Sequence, residues 1–195
     1  MSSKATTTRL NILNKAFELI YRNGYRTTSV DQIIATTQVT KGAFFHHFKN
    51  KDDMGITMIN EVMYPAMSQA LTELLEDAKD PKEAISLMMK NILFENPIFE
   101  VKYGCPAINL IEELASYNES FNSALQKLVM HWKNAITKCL EDGKTAGIIK
   151  PDVDTTEAAL FILAGYGGVR NLGKIYGLQS YIAYIKQLKL YLEQL

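Results

Sequence analysis

The chain has 195 residues, 47% of them apolar and 22% charged, which supports a sizeable buried core and argues against a disordered polypeptide. No apolar run approaches the length that crosses a bilayer, and the N-terminal MSSKATTTRLNILNKAF holds no apolar block with a cleavage site, so no membrane partner and a cytoplasmic location are expected. The two cysteines, Cys105 and Cys139, make neither a metal-ligand spacing nor a disulfide framework.

Ser2 to Thr7 reads as a polar tail in solvent. Leu10, Leu13, Phe17 and Ile20 follow at helical spacing, giving an amphipathic helix that Asn23 and Gly24 end. Thr28, with Asp31 three residues on, reads as the cap of a short helix whose apolar stripe is Val30, Ile33 and Ile34. Thr36, Thr37 and Gln38 break that stripe. Thr40 then caps a second short helix, in which Phe44 and Phe48 point inward while Lys41, Gly42, Phe45 and His46 point outward. Two short helices across a turn, with small and basic residues at the exposed start of the second, have the build of a DNA-reading helix-turn-helix. The small Gly42 and Ala43 let such a helix sink toward base edges in a groove about 12 Å wide. Spacing alone also fits an ordinary helical hairpin, and leaves both readings open. Charge separates them: residues 1–51 carry eight Lys or Arg against two acids, Glu18 and Asp31, although the whole chain is neutral.

The segment VTKGAFFHHFKNKDDM resembles the signature of TetR-like (tetracycline-repressor-like, TetR/AcrR) transcriptional regulators, matching at Val39, Thr40, Gly42, Phe44, His46, His47, Phe48, Lys49, Lys51, Asp52 and Asp53. Ala16 to Gly24, AFELIYRNG, is similar to the first helix of that family. The resemblance covers about the first quarter of the chain. It implies an all-α fold of about nine helices, with a three-helix helix-turn-helix DNA-binding domain over residues 1–51 and a helical effector-binding and dimerisation domain over 52–195. It further implies phosphate contacts from Thr28, Thr40, His47, Lys49 and Lys51, and groove contacts from Lys41, Gly42, Ala43, Phe45 and His46. Two residues depart from the pattern. Phe45 stands where a tyrosine is usual, which removes a hydroxyl contact to phosphate, and Gln38 stands where the turn usually has glycine, which either forces a left-handed residue or shifts the turn.

Asn50, with Asp53 in the third helical position, opens a long helix through Ile56, Ile59, Val62, Met63 and Leu74 that Pro65 should bend or break near Glu61 to Pro65. Asp80, Pro81 and Glu83 start the next helix, whose stripe is Ile85, Met88, Met89, Ile92 and Leu93, and Pro97 ends it by Asn96. The irregular NPIFEVKYGCPAINL presents Phe99, Val101, Tyr103 and Cys105 from loop-like backbone, as a pocket wall would, or as a buried connection would. Its GCPxxNL run resembles a motif in the ligand-binding half of one branch of the same family. A helix from Ala107 to about Ser116 follows, then a long one from Asn118 with Phe121, Leu125, Leu128, Trp132, Ile136 and Cys139 on its core side, failing between Asp142 and Gly147.

Asp154 to Glu157 caps a glycine-rich apolar helix containing Gly165, Gly167, Gly168 and Gly173, which the close approach of another helix must offset. The last helix, Leu178 to Leu192, has two apolar stripes, one for the core and one for a second copy of the chain. The expected dimer contacts are Phe161, Gly165, Gly168, Tyr181, Tyr184, Ile185 and Leu188. Candidate effector contacts, for a small apolar or aromatic molecule, are Met63, Met88, Phe99, Tyr103, Cys105, Trp132 and Tyr166. No cofactor, metal or enzymatic activity is expected, since the adjacent His46 and His47 point about 100° apart on a helix and no phosphate loop or nucleophile–base pair occurs. The sequence reading is therefore a homodimeric regulator, most simply a repressor, released from a palindromic operator by a small molecule. Its alternative is a regulator switched by oxidation or alkylation of Cys105, or by a partner protein, with no dedicated small ligand.

Overall fold

The computed structural model describes residues 4–195, and among these the chain is all-helical. In chain order the elements are α1 (Lys4–Asn23), α2 (Val30–Ala35), α3 (Lys41–His47), α4 (Lys51–Met58), a π-helical turn π1 (Ile59–Met63), α5 (Tyr64–Thr72), α6 (Pro81–Lys90), a second turn π2 (Asn91–Glu95), α7 (Pro106–Leu114), α8 (Glu119–Thr145), α9 (Thr155–Tyr176) and α10 (Leu178–Gln194). Counted through their π-turns, these are nine continuous helices among the described residues. None is long and apolar enough to cross a membrane.

The chain folds as two compact units. The first takes residues up to Ala66 together with Asn109–Gln126, and the second takes Met67–Ile108 with Lys127–Leu195. Ile12, Leu13, Ile20, Tyr25, Ile33, Phe44, Phe48, Met54, Met58 and Phe121 make the core of the first unit. The core stripe of α1 runs through Ile12, Leu13, Ala16 and Ile20, while Leu10 is half exposed, one helical step away from its expected place. Part of the supposed tail is also helical: Lys4–Thr7 belong to α1, and Ser2 and Ser3 lie outside the described residues.

Local capping explains where most helices begin. Thr40, Asn50, Asp80 and Asp154 each accept backbone N–H groups of the first turn they cap. At α2 the cap is Ser29 and not Thr28. Ser29 accepts from the Gln32 amide at 3.2 Å and Gln32 Oε1 takes the Ser29 N–H at 2.7 Å, a reciprocal box that Thr28 and Asp31 do not form. Gln38 does not adopt a left-handed backbone, so the inter-helical turn is met by a shift and not by strain. Pro65 does not break its helix. The wide turn π1 precedes it, with Tyr64 N–H reaching back to the Ile59 carbonyl, and this absorbs the missing N–H and the ring's crowding of the turn before it.

In the second unit, α10 packs along α9, and the glycines of α9 show why. A β-carbon on Gly165 would lie 2.7 Å from Tyr184 Cε2, and one on Gly173 would lie 2.4 Å from Tyr181 Cε1. The helix propensity lost at these positions is thus compensated by close approach within one chain. Gly168, by contrast, faces open space.

Candidate functional site

In the first unit, α3 is a seven-residue helix held by the buried rings of Phe44 and Phe48, whose centroids are 5.5 Å apart. This anchoring turns Lys41, Gly42, Phe45 and His46 to solvent, and Phe45 is 47% exposed despite its apolar ring. Nothing lies within 4 Å of where a Gly42 side chain would begin, so the start of α3 is open to an approaching surface. Ala43 and His47 are half-buried, Thr40 and Lys41 lie exposed at the start of α3, and Lys49 lies exposed just beyond its end. Lys41 Nζ meets Asp31 at 2.9 Å, an exposed pair with little hold on either partner. His47 is held below the ordinary histidine value near 6.5, first by loss of solvent and then by the neighbouring His46 and Arg9.

Two of the expected phosphate contacts face inward. Thr28 is only 1% exposed, and its hydroxyl donates to the Gly24 carbonyl at 2.7 Å. Lys51 Nζ donates to the carbonyls of Tyr25 and Thr28 at 3.0 and 3.1 Å and sits 4.4 Å from the centre of the Tyr25 ring. Both residues therefore brace the turn before α2 from inside, because the buried carbonyls there need donors. Their spacing in the motif marks them as neighbours of the reading helix and does not say which way they point.

In the second unit, the structure brings together five of the expected effector residues. Trp132 Nε1 donates to Met88 Sδ at 3.3 Å, and the Trp132 and Tyr166 rings meet edge-on at 4.8 Å. Cys105 is 2% exposed and lies beside Tyr166, whose hydroxyl it helps to hold protonated. The group that organises the cluster, Arg170, was not singled out in the sequence. It is fully buried and pairs with no carboxylate in the cluster. Its Nε donates to Tyr166 Oη and its Nη1 to Tyr181 Oη, both at 3.1 Å, while its plane lies 4.7 Å from the centre of Phe99. Its Nη2 donates to the Ile92 carbonyl, which the i→i+5 pattern of π2 would pair with Pro97, a residue without an N–H. Burial works against the guanidinium's charge, but Tyr166, Tyr181 and Cys105 around it hold it protonated; burial pushes the Tyr166 hydroxyl well above its ordinary value. Tyr103 is half-buried beside Lys102, and Met63 is buried in π1 of the first unit.

The expected dimer residues divide in a similar way. Tyr181 and Leu188 are buried within their own chain, and Tyr184 packs on Gly165 and donates its hydroxyl to the Ile162 carbonyl at 3.0 Å, so Tyr181, Tyr184 and Gly165 serve the α9–α10 contact. Phe161 and Gly168 are exposed and Ile185 is half-buried. The exposed apolar surface of α9 and α10 includes Leu160, Phe161, Leu172, Ile175, Tyr176 and Ile182, with Ile175 77% exposed. The pattern of α10 showed two stripes, and only packing decides which one the chain keeps for itself.

Residues 12–55 match the family of bacterial regulatory proteins, tetR family, and residues 93–188 match the tetracyclin repressor-like C-terminal domain. The repressor DhaR of Mycobacterium sp. (strain GP1) is 26% identical over 165 residues, 84% of this chain and 80% of that protein. The repressor NemR of Escherichia coli (strain K12) is 27% identical over 138 residues, 70% of this chain and 69% of that one. Among solved structures, the reduced form of E. coli NemR superimposes with a TM-score of 0.82 at 23% identity, over 93% of this chain and 95% of that chain. A TetR-family regulator from Cytophaga hutchinsonii does so with a TM-score of 0.89 at 20% identity, over 100% and 98%. The chain belongs to the TetR/AcrR family of transcriptional regulators, DNA-binding proteins that act as homodimers and are not enzymes.

Proposed function

We propose that this regulator reads its operator through the outward face of α3 and is switched by covalent change at Cys105. For DNA, the carrying observation is the open start of α3, where exposed Lys41, Gly42, Phe45 and His46 surround a position with nothing within 4 Å. Lys41, Gly42, Ala43, Phe45 and His46 then enter the major groove, and Thr40, His47 and Lys49 meet phosphate on either side. The Phe45 ring takes sugar or thymine-methyl contact in place of a hydroxyl bond. Thr28 and Lys51 act from within, by holding the turn that leads into α2. A second copy seated on Phe161, Gly168, Ile175, Ile182 and their neighbours supplies the twofold pairing, which suits a palindrome whose half-sites lie about 34–36 Å apart.

For the switch, the carrying observation is that Cys105 sits against Tyr166 in a buried cluster whose one guanidinium lacks a carboxylate. The thiolate is the reactive form of cysteine. With a haloacetamide the step is simple: the sulfur bonds to carbon, halide leaves with the bonding pair, and the thiol proton goes to solvent. That E. coli NemR is described in a reduced form supports this reading for a relative of the same fold. The same Arg170 also favours a second reading, in which a small anionic molecule binds the cluster without a covalent bond.

Selection of sequences from random duplexes, followed by fluorescence anisotropy before and after iodoacetamide, tests both parts. A preferred palindrome whose affinity falls on alkylation, with mass spectrometry placing the adduct on Cys105 and Cys105→Ser insensitive, is the expected outcome. Undiminished affinity with Cys105 fully modified would refute the thiol switch. Parental affinity in both Lys41→Ala and Phe45→Ala would refute the reading face.

A further inference from the structure

Gly24, with φ of +89°, ends α1 in a left-handed residue and throws the next two amides to one side. Both find the same acceptor. Tyr25 N donates to Glu113 Oε2 at 2.8 Å and Arg26 N to Glu113 Oε1 at 2.6 Å. Arg26 Nη2 also donates to the Glu113 carbonyl at 3.1 Å, and its guanidinium lies 5.0 Å from the centre of Tyr117. One carboxylate from α7, far along the chain, thus takes both of these amides of the turn.

That turn is the junction of the helix-turn-helix. The Tyr25 hydroxyl donates to Asp52 at 2.5 Å, its ring meets Phe121 edge-on at 5.1 Å, and its carbonyl takes the Lys51 ammonium. Burial, and then the Asp52 bond, push this hydroxyl well above the ordinary tyrosine value. Gly55 has no side chain because a β-carbon there would lie 2.8 Å from Tyr25 Cε2 and 3.0 Å from Phe121 Cζ. Three residues after Tyr25, Thr28 bonds back to Gly24, and Ser29 then caps α2. The end of α1, the entry to α2 and the start of α4 all meet at Tyr25.

We infer that Glu113 is a positioning residue for DNA reading: its carboxylate latches the Gly24–Arg26 turn and thereby fixes the attitude of α2 and α3. The inference rests on the proposal that α3 reads DNA, and not on the proposal for Cys105. It gives α7 a direct hold on the reading head. Since α7 begins at Pro106, the residue after Cys105, a movement of α7 reaches the turn through Glu113, by its carboxylate and its carbonyl together.

Glu113→Gln tests the latch, because an amide offers one oxygen to two N–H donors and turns its own NH2 toward the other. Hydrogen exchange at the Tyr25 and Arg26 amides should accelerate, protection over residues 30–47 should fall, and affinity for the selected duplex should drop about tenfold, with the dimer mass unchanged. Glu113→Asp keeps the charge with a shorter reach; it should lose less, and it decides the matter if Glu113→Gln does not fold. Faster exchange at both amides with parental operator affinity would make Glu113 a surface cap and overturn its positioning role. Unchanged exchange would overturn the latch itself. A parent protein that selects no sequence would sink the DNA-reading proposal and the latch with it, whereas a selective parent with an indifferent Glu113→Gln sinks the latch alone.

Discussion

Gly173→Ala isolates the contact that holds α10 on α9. In an open helix this exchange stabilises by about 1 kcal/mol, since alanine is the better helix former. Here the new methyl would stand 2.4 Å from Tyr181 Cε1 and 2.9 Å from its Cζ and Oη. Tyr181 cannot easily yield: it is fully buried, its hydroxyl accepts from Arg170 Nη1 at 3.1 Å, and the Phe94 ring meets it edge-on at 6.0 Å. Overpacking of this kind costs about 1–3 kcal/mol, and a pinned partner puts the cost near the upper end, leaving a net loss of roughly 1–2 kcal/mol. Gly167→Ala, whose new methyl would meet only Ile108 Cδ1 at an ordinary 3.6 Å, is the internal control and should gain up to about 1 kcal/mol. The separation between the two variants is then roughly 4–12 °C in melting temperature for a chain of this size. Trp132, the sole tryptophan, reports on the second unit, so its fluorescence during thermal unfolding is a suitable assay. A Gly173→Ala protein as stable as the parent would refute the packing argument.

Operator affinity should rise as pH falls from about 8 to about 6, because His47 sits below its ordinary value in the free protein and gains a proton on meeting phosphate; the complex binds more protons than its parts. Anisotropy across that range should show the slope shrinking in His47→Gln, and an unchanged slope would remove His47 from the interface. Lys51→Met should weaken DNA binding about tenfold while leaving the salt dependence nearly parental, since the ammonium is spent on the carbonyls of Tyr25 and Thr28 and not on phosphate. A salt slope reduced by about one would restore Lys51 as a phosphate contact. Ile175→Glu, at a side chain 77% exposed in the chain alone, should leave Trp132-monitored stability of the monomer intact and shift the solution mass from dimer to monomer. A dimer that persists would place the interface elsewhere.

Much of the architecture was legible because its signals are local. Thr40, Asn50, Asp80 and Asp154 cap helices through their own side chains, and Phe44 and Phe48 point inward because they lie four apart. Misreadings arose where two local answers compete. Thr28 and Ser29 both carry hydroxyls, and only the partner at Gln32 selects the second. Pro65 is compatible with a kink, a break or a wide turn, and its neighbours chose the turn. The tertiary bonds were not legible at all. Arg170 reads as one cation on an apolar helix, yet its partners include Ile92 and Phe99, far back in the chain. Glu113 reads as one acid among several, and its partners are backbone amides, which have no sequence signature. On α10, periodicity finds the stripe of Tyr181 and Leu188 without saying that it is the one that faces the core.

The make-up of the first unit has a consequence for biosynthesis. Residues 109–126 complete it, supplying Glu113 to the Gly24–Arg26 turn and Phe121 to the Tyr25 ring. A nascent chain that has emerged only as far as Ala66 already contains every residue of the helix-turn-helix, but lacks the pieces that close it. The reading head is finished only after the ribosome has passed Gln126, when much of the second unit's sequence has also been made. Premature termination between these points therefore yields a fragment that lacks part or all of the segment completing this unit.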